Sequence, residues 1–63
     1  MFVLQFKLKE HTEHQWQDLT APYGTIFEAR KKKREREQAF APVIEYRIVF
    51  RKHEIITVDE VIE

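Results

Sequence analysis

The side chains in this sequence best suited to chemistry are cations. Residues 30–38 read RKKKREREQ and carry no apolar side chain, and six of the seven residues from Arg30 to Arg36 are bases. Lysines and arginines interleaved along one side of a helix can track the phosphates of a nucleic acid, releasing counterions as they bind. Arg30, Lys31, Lys32 and Arg34 are the candidate contacts, joined by Arg47 and Arg51 if the strand that carries those two lies near. Against this, Glu28, Glu35 and Glu37 share the helix, and no aromatic is interleaved in the run to stack on a base. The same cations also suit an acidic protein surface, or simply a solvated helix face.

Other chemistry finds less support. His11 and His14, flanked by Glu10 and Glu13, form a nominal metal-ligand cluster that His53 could join. Their spacing is that of ordinary surface turns, and no cysteine is available. Serine and cysteine are both absent, the threonines have no evident base, and a single glycine rules out a glycine-rich phosphate loop. The expectation is a protein that is not an enzyme and has no cofactor and no metal.

The 63 residues can hold one core, so residues 1–63 are read as a single domain. A core of that size seldom gives more than about 3–5 kcal/mol of net stability. Without cysteine no disulfide can add to it, which leaves packing or association with another chain, including a homodimer. Net charge is zero but uneven: the last ten residues hold Glu54, Asp59, Glu60 and Glu63 and no base. If that acidic stretch lies against the basic helix, the charges form a structural ion-pair network. The opening MFVLQFKLKE lacks a basic n-region and a small-residue cleavage site, and no segment approaches a membrane span. The expected location is the cytoplasm, with no membrane partner.

These groups must be positioned by a few short elements. Phe2, Leu4, Phe6 and Leu8 alternate with Val3, Gln5, Lys7 and Lys9, predicting a strand with one apolar face and one polar, wet face. Residues 10–13 read as a turn and 14–19 as a short returning strand that carries Trp16. Residues 21–24, with a proline and the glycine, lead into a helix that opens on the capping box Thr25-Ile26-Phe27-Glu28 and ends near Phe40 or Ala41, before Pro42. Pairs at i,i+4 (Glu28 with Lys32, Lys31 with Glu35, Lys33 with Glu37) support its polar middle. One stripe, Ile26, Ala29, Lys33, Arg36 or Glu37, and Phe40, can lie on the sheet with the lysine and arginine stems as its apolar surface; the other choice is Phe27, Arg30, Arg34 and Ala41. Ile44, Tyr46, Ile48 and Phe50 predict the clearest strand, followed by a turn at 52–54 and a last strand over 55–58. Val61 and Ile62 fit either an extension of that strand or a helical turn. The expected fold is α+β: a small antiparallel β-sheet, ββαββ in sequence order, with one charged α-helix packed on one face.

Trp16, the PYGTIFEA stretch and EYRIVF ending at Phe50 resemble a pattern in small uncharacterised phage and prophage proteins, where a tryptophan strand precedes a T-x-x-E-A helix start and a Y-R-I-V strand follows. The resemblance covers roughly residues 14–50. It implies a context, that of accessory proteins which bind and redirect a host protein without catalysis, in the cytoplasm of a bacterial host. Taken together, the sequence points to a small non-enzymatic interaction module with a protein partner, anchored by Tyr23, Phe27 and Trp16 where these escape the core. Nucleic-acid binding through residues 30–36 is the alternative. Dimerisation through those aromatics would hide the apolar excess.

Overall fold

A computed structural model describes residues 1–10, 16–40 and 42–63. The chain forms β1 (Phe2–Leu8), β2 (Gln17–Asp18), α1 (Ile26–Phe40), β3 (Ile44–His53) and β4 (Thr57–Val61). The strands make one antiparallel sheet in the spatial order β2-β1-β3-β4, and α1 packs across β1 and β3. This is the α+β architecture that the alternation and the capping box predict.

The register explains why β1 and β3 find each other. Phe2 lies opposite Phe50, Leu4 opposite Ile48, Phe6 opposite Tyr46 and Leu8 opposite Ile44. Opposite residues in an antiparallel pair share a face, so the two apolar sets fuse into one surface. The Phe2 and Phe50 rings meet edge to face, with centroids 5.1 Å apart. Leu4, Ile48 and Ala29 form the buried centre, and Phe2, Leu19, Tyr23 and Tyr46 pack around it.

The helix that covers this surface has little apolar surface of its own. Ala29 is its single buried residue, while Ile26, Lys33 and Arg36 are half-buried and Phe27, Arg30 and Arg34 are exposed. The first of the two candidate stripes therefore faces the sheet, and the stems of Lys33 and Arg36 supply part of the cover. The Glu28 amide donates to the Thr25 hydroxyl at 3.4 Å, which places Thr25 as the N-cap. At the other end the Val43 amide returns to the Phe40 carbonyl at 3.0 Å.

Three features differ from expectation. The sheet face away from the helix is not simply wet: Val3 and Val49 are fully buried there and Gln5 nearly so. They lie opposite and beside one another, under the long side chains of Arg47 and Arg51 that project from the same face of β3. The β3 strand runs to His53, so the turn falls at Glu54, Ile55 and Ile56, and the last strand is Thr57–Val61 rather than 55–58. Val61 thus extends the strand. The returning strand expected over 14–19 is the two-residue β2; residues 14 and 15 lie outside the described part, and the Leu19 amide donates one further hydrogen bond to the Leu4 carbonyl at 2.8 Å.

The core centre is small enough for one truncation to decide the fold. Leu4→Ala should cost about 2–5 kcal/mol, comparable with the whole net stability of a chain this size. The far-ultraviolet circular dichroism of that variant at 25 °C should be that of an unfolded chain. Leu8→Ala, at the exposed end of the same strand, should leave a cooperative thermal transition.

Candidate functional site

The described structure offers two charged surfaces on opposite sides of the sheet, and the candidate residues divide between them. On the helix side, Phe27, Lys31, Arg34 and Gln38 fall within one face of α1, since steps of 100° per residue return positions i, i+4, i+7 and i+11 to nearly the same direction. Phe27 is 74% exposed. Arg30 borders this face and is bound to the chain's last residue: its Nε donates to Glu63 Oε1 at 2.6 Å, and its Nη2 contacts the same oxygen. That bond holds the Glu63 carboxyl below its ordinary range and raises the Arg30 guanidinium further. Lys32 pairs with Glu35 at 3.7 Å and Lys33 with Glu37 at 3.2 Å. Lys31 and Arg34 have no ion pair among the described residues. A shallow groove of about 310 Å³ runs between Tyr23 and the helix, lined by Glu28, Lys31, Lys32 and Glu35. Tyr23 itself is half-buried against the core and exchanges backbone hydrogen bonds with Phe2 at 2.9 and 2.7 Å.

Arg47 and Arg51 lie on the other side of the sheet and do not join the helix cations. Arg51 is held between two carboxylates. Its Nη1 and Nη2 donate to Asp18 at 2.7 and 3.1 Å, and its Nε and Nη2 donate to Asp59 at 2.8 and 2.9 Å. Asp18 also accepts from Gln5 Nε2 at 3.0 Å, and Gln5 Oε1 accepts from Arg47 Nε at 2.8 Å. The network therefore crosses all four strands, from Asp18 on β2 through Gln5 on β1 and the two arginines on β3 to Asp59 on β4. No buried side-chain polar atom among the described residues lacks a partner. Trp16 lies at the end of this face, with the Arg47 guanidinium 4.4 Å and the Lys7 ammonium 5.0 Å from its ring centroid. It is half-buried there and not available as a free anchor.

These contacts set the protonation behaviour. The Arg51 guanidinium, and for Asp18 also Gln5, holds the carboxyls of Asp18 and Asp59 below the usual carboxylate range. The same bonds, first to Asp59 and then to Asp18, push the Arg51 guanidinium up. Burial lowers Arg47, which leans on an amide and an aromatic ring in place of a carboxylate. Asp18 and Gln5 were not singled out by the sequence reading, and Asp59 entered it only as one acid of the C-terminal acidic stretch. Their signal was available only as polar residues on the alternate positions of strands whose register was unknown.

Of the proposed ligand cluster, His11, Glu13 and His14 lie outside the described residues, and Glu10 and His53 are exposed. No group of three or more acids, histidines or cysteines among the described residues could hold a metal ion. No helix among them is long and apolar enough to cross a membrane. Comparison with protein families, with curated proteins and with solved structures finds no match. The functional reading therefore starts from the geometry of these two surfaces.

The carboxylate pair gives a pH test with a definite sign. Groups whose folded pKa is depressed stabilise the fold fully above the unfolded value of about 3.9, and that contribution is lost as pH falls through the folded values. Urea titrations should show stability level above about pH 5 and declining below about pH 4. Arg51→Met should cost about 1–3 kcal/mol at pH 7, because it leaves two carboxylates facing each other without a cation. It should also lessen the acid decline, since the main contact holding both carboxyls down is gone, while Gln5 still bonds Asp18 and Arg30 still bonds Glu63. A variant as stable as the parent at pH 7 would show that the network is ornamental.

Proposed function

We propose that this protein is a non-enzymatic interaction module that binds an acidic protein surface through the outer face of α1, with Phe27 as the apolar anchor. The observation that carries this reading is Phe27 itself, 74% exposed at the start of a helix face whose Lys31 and Arg34 are not neutralised within the described chain. Leaving a phenylalanine in water forgoes about 1.5–3 kcal/mol that burial would return, and such a residue ringed by cations is the anatomy of an interface anchor with a charged rim. The cations would steer an acidic partner and set its orientation, and the ring would hold it. The groove beside Tyr23 extends the apolar contact toward the sheet. The resemblance to small phage and prophage proteins makes a host protein the natural class of target.

Nucleic-acid binding by Arg30, Lys31, Lys32 and Arg34 is the second reading, supported by the density of bases on the exposed helix. Glu28, Glu35 and the Arg30–Glu63 pair all reduce the positive field, and Arg47 and Arg51 lie on the far side of the sheet, engaged with Gln5, Asp18 and Asp59. That leaves few cations free to follow a phosphate backbone.

Pull-downs from bacterial lysate with and without nuclease, repeated with two variants, separate these readings. Phe27→Ala should fold normally and lower retention of a specific protein at least tenfold, about 1.4 kcal/mol or more. Replacing Arg30, Lys31, Lys32 and Arg34 by glutamine should weaken capture mainly at low salt. Retention that vanishes on nuclease treatment, falls steeply with salt and ignores Phe27→Ala would establish the nucleic-acid reading instead.

A further inference from the structure

The β4 strand closes the sheet on one side and nothing in the described chain covers it. Every one of its five residues is exposed, and α1 does not reach it. Ten large apolar side chains of the described residues are exposed, and five of them belong to this strand and its flanks: Ile55, Ile56, Val58, Val61 and Ile62. The backbone is open as well. The amides of Ile62 and Glu63 both donate to the Ile48 carbonyl, at 2.9 and 3.2 Å, so Ile62 faces β3. Alternation then turns Val58 and Glu60 toward β3 also, and leaves the N–H and C=O groups of Thr57, Asp59 and Val61 pointing outward, unpaired.

We infer that this edge is a dimer interface, in which β4 pairs antiparallel with β4 of a second copy about a two-fold axis through Val58. A second copy fits only if the edge is complementary to itself about a two-fold axis, and charge decides which register is. Only even-numbered offsets pair outward-facing groups with one another. Placing the axis at Asp59 sets two aspartates opposite each other, and placing it at Glu60 opposes two glutamates. An axis at Val61 sets Asp59 against Glu63, and one at Thr57 leaves only Thr57 paired within the strand, because the residues before it form the turn. Like charges directly opposite are destabilising. With the axis at Val58 no acid opposes an acid within the strand: Val58 faces Val58, and Thr57 faces Asp59 on either side.

The rest of the strand agrees with that placement. Asp59 is already compensated by Arg51, and Thr57 of the other copy brings a hydroxyl donor beside it. Ile62 and Glu63 together oppose the single residue Ile48, a β-bulge that bends the strand end, and a register centred on Val58 keeps clear of it. The result is a continuous eight-stranded sheet, twice the four strands of one copy, with both helices on the same side. This surface lies on the sheet edge, apart from the outer face of α1, and does not depend on the function proposed above.

Two cysteine variants test the register as well as the dimer, because the chain has no cysteine of its own. Val58 and Ile62 are equally exposed, each at 41% and both on the helix side of the strand. In the proposed dimer Val58 faces its own copy as a non-hydrogen-bonded pair, with Cα atoms about 4.5 Å apart, inside the range a disulfide spans. The two Ile62 positions lie four residues either side of the axis, far beyond it. Under mild oxidation Val58→Cys should cross-link nearly completely and Ile62→Cys at least tenfold less. Light scattering on the parent chain should give the mass of two chains, and Val58→Lys, which changes an exposed residue and should fold, the mass of one. Equal cross-linking of the two cysteines, a parent that stays monomeric at every concentration, or a dimer that survives Val58→Lys would each overturn the proposal.

Discussion

One guanidinium held between two carboxylates is the contact on which the sheet's outer strands depend. The β2 strand has two residues, and β4 has five that are all exposed, so neither gains enough from burial to hold its place. Arg51 reaches both, taking Asp59 from its neighbour β4 and Asp18 from β2 across the width of β1. Its stem and that of Arg47 cover Val3 and Val49, so one residue type both ties the strands laterally and shields the apolar pair beneath them. The charges balance locally, which is why a face carrying two arginines need not be read as a binding surface for anions.

The opposite face works under a different constraint. A helix with Ala29 as its one buried residue is a poor lid, and the sheet compensates with its own side chains: Phe2 on Phe50, and Leu4 on Ile48, supply most of the core before the helix is added. Because the stems of Lys33 and Arg36 serve as cover, their charges are held at the rim of the sheet. The helix can therefore be strongly basic and still pack, and its outward side takes no part in the core.

Much of this was legible in the sequence because period-two alternation is a local signal. The apolar sets on β1 and β3, the Thr25 cap and the Ile26, Ala29, Lys33, Arg36 stripe all follow from neighbours along the chain. What could not be read depended on pairing partners far apart in sequence. The burial of Val3 and Val49 needs two strands 46 positions apart to be placed side by side. The roles of Asp18 and Asp59 need an arginine that reaches across strands. The turn before β4 was misplaced because Ile55 and Ile56 look like strand residues, whereas the structure leaves them at an exposed bend. Among the candidate anchors, Phe27 emerged exposed, while Tyr23 and Trp16 were taken up by packing that only the assembled sheet reveals.

The strand order β2-β1-β3-β4 has a consequence for how the chain is made. The strand at the start of the sequence is central and takes its main partner from residues that follow the helix. During synthesis its phenylalanines and leucines therefore stay in water until β3 has followed, and β1, β2 and α1 without β3 have no core of their own. Assembly must be late and concerted. Cut in the loop at Pro42, the chain would yield two fragments, each presenting a bare apolar strand that is the other's complement.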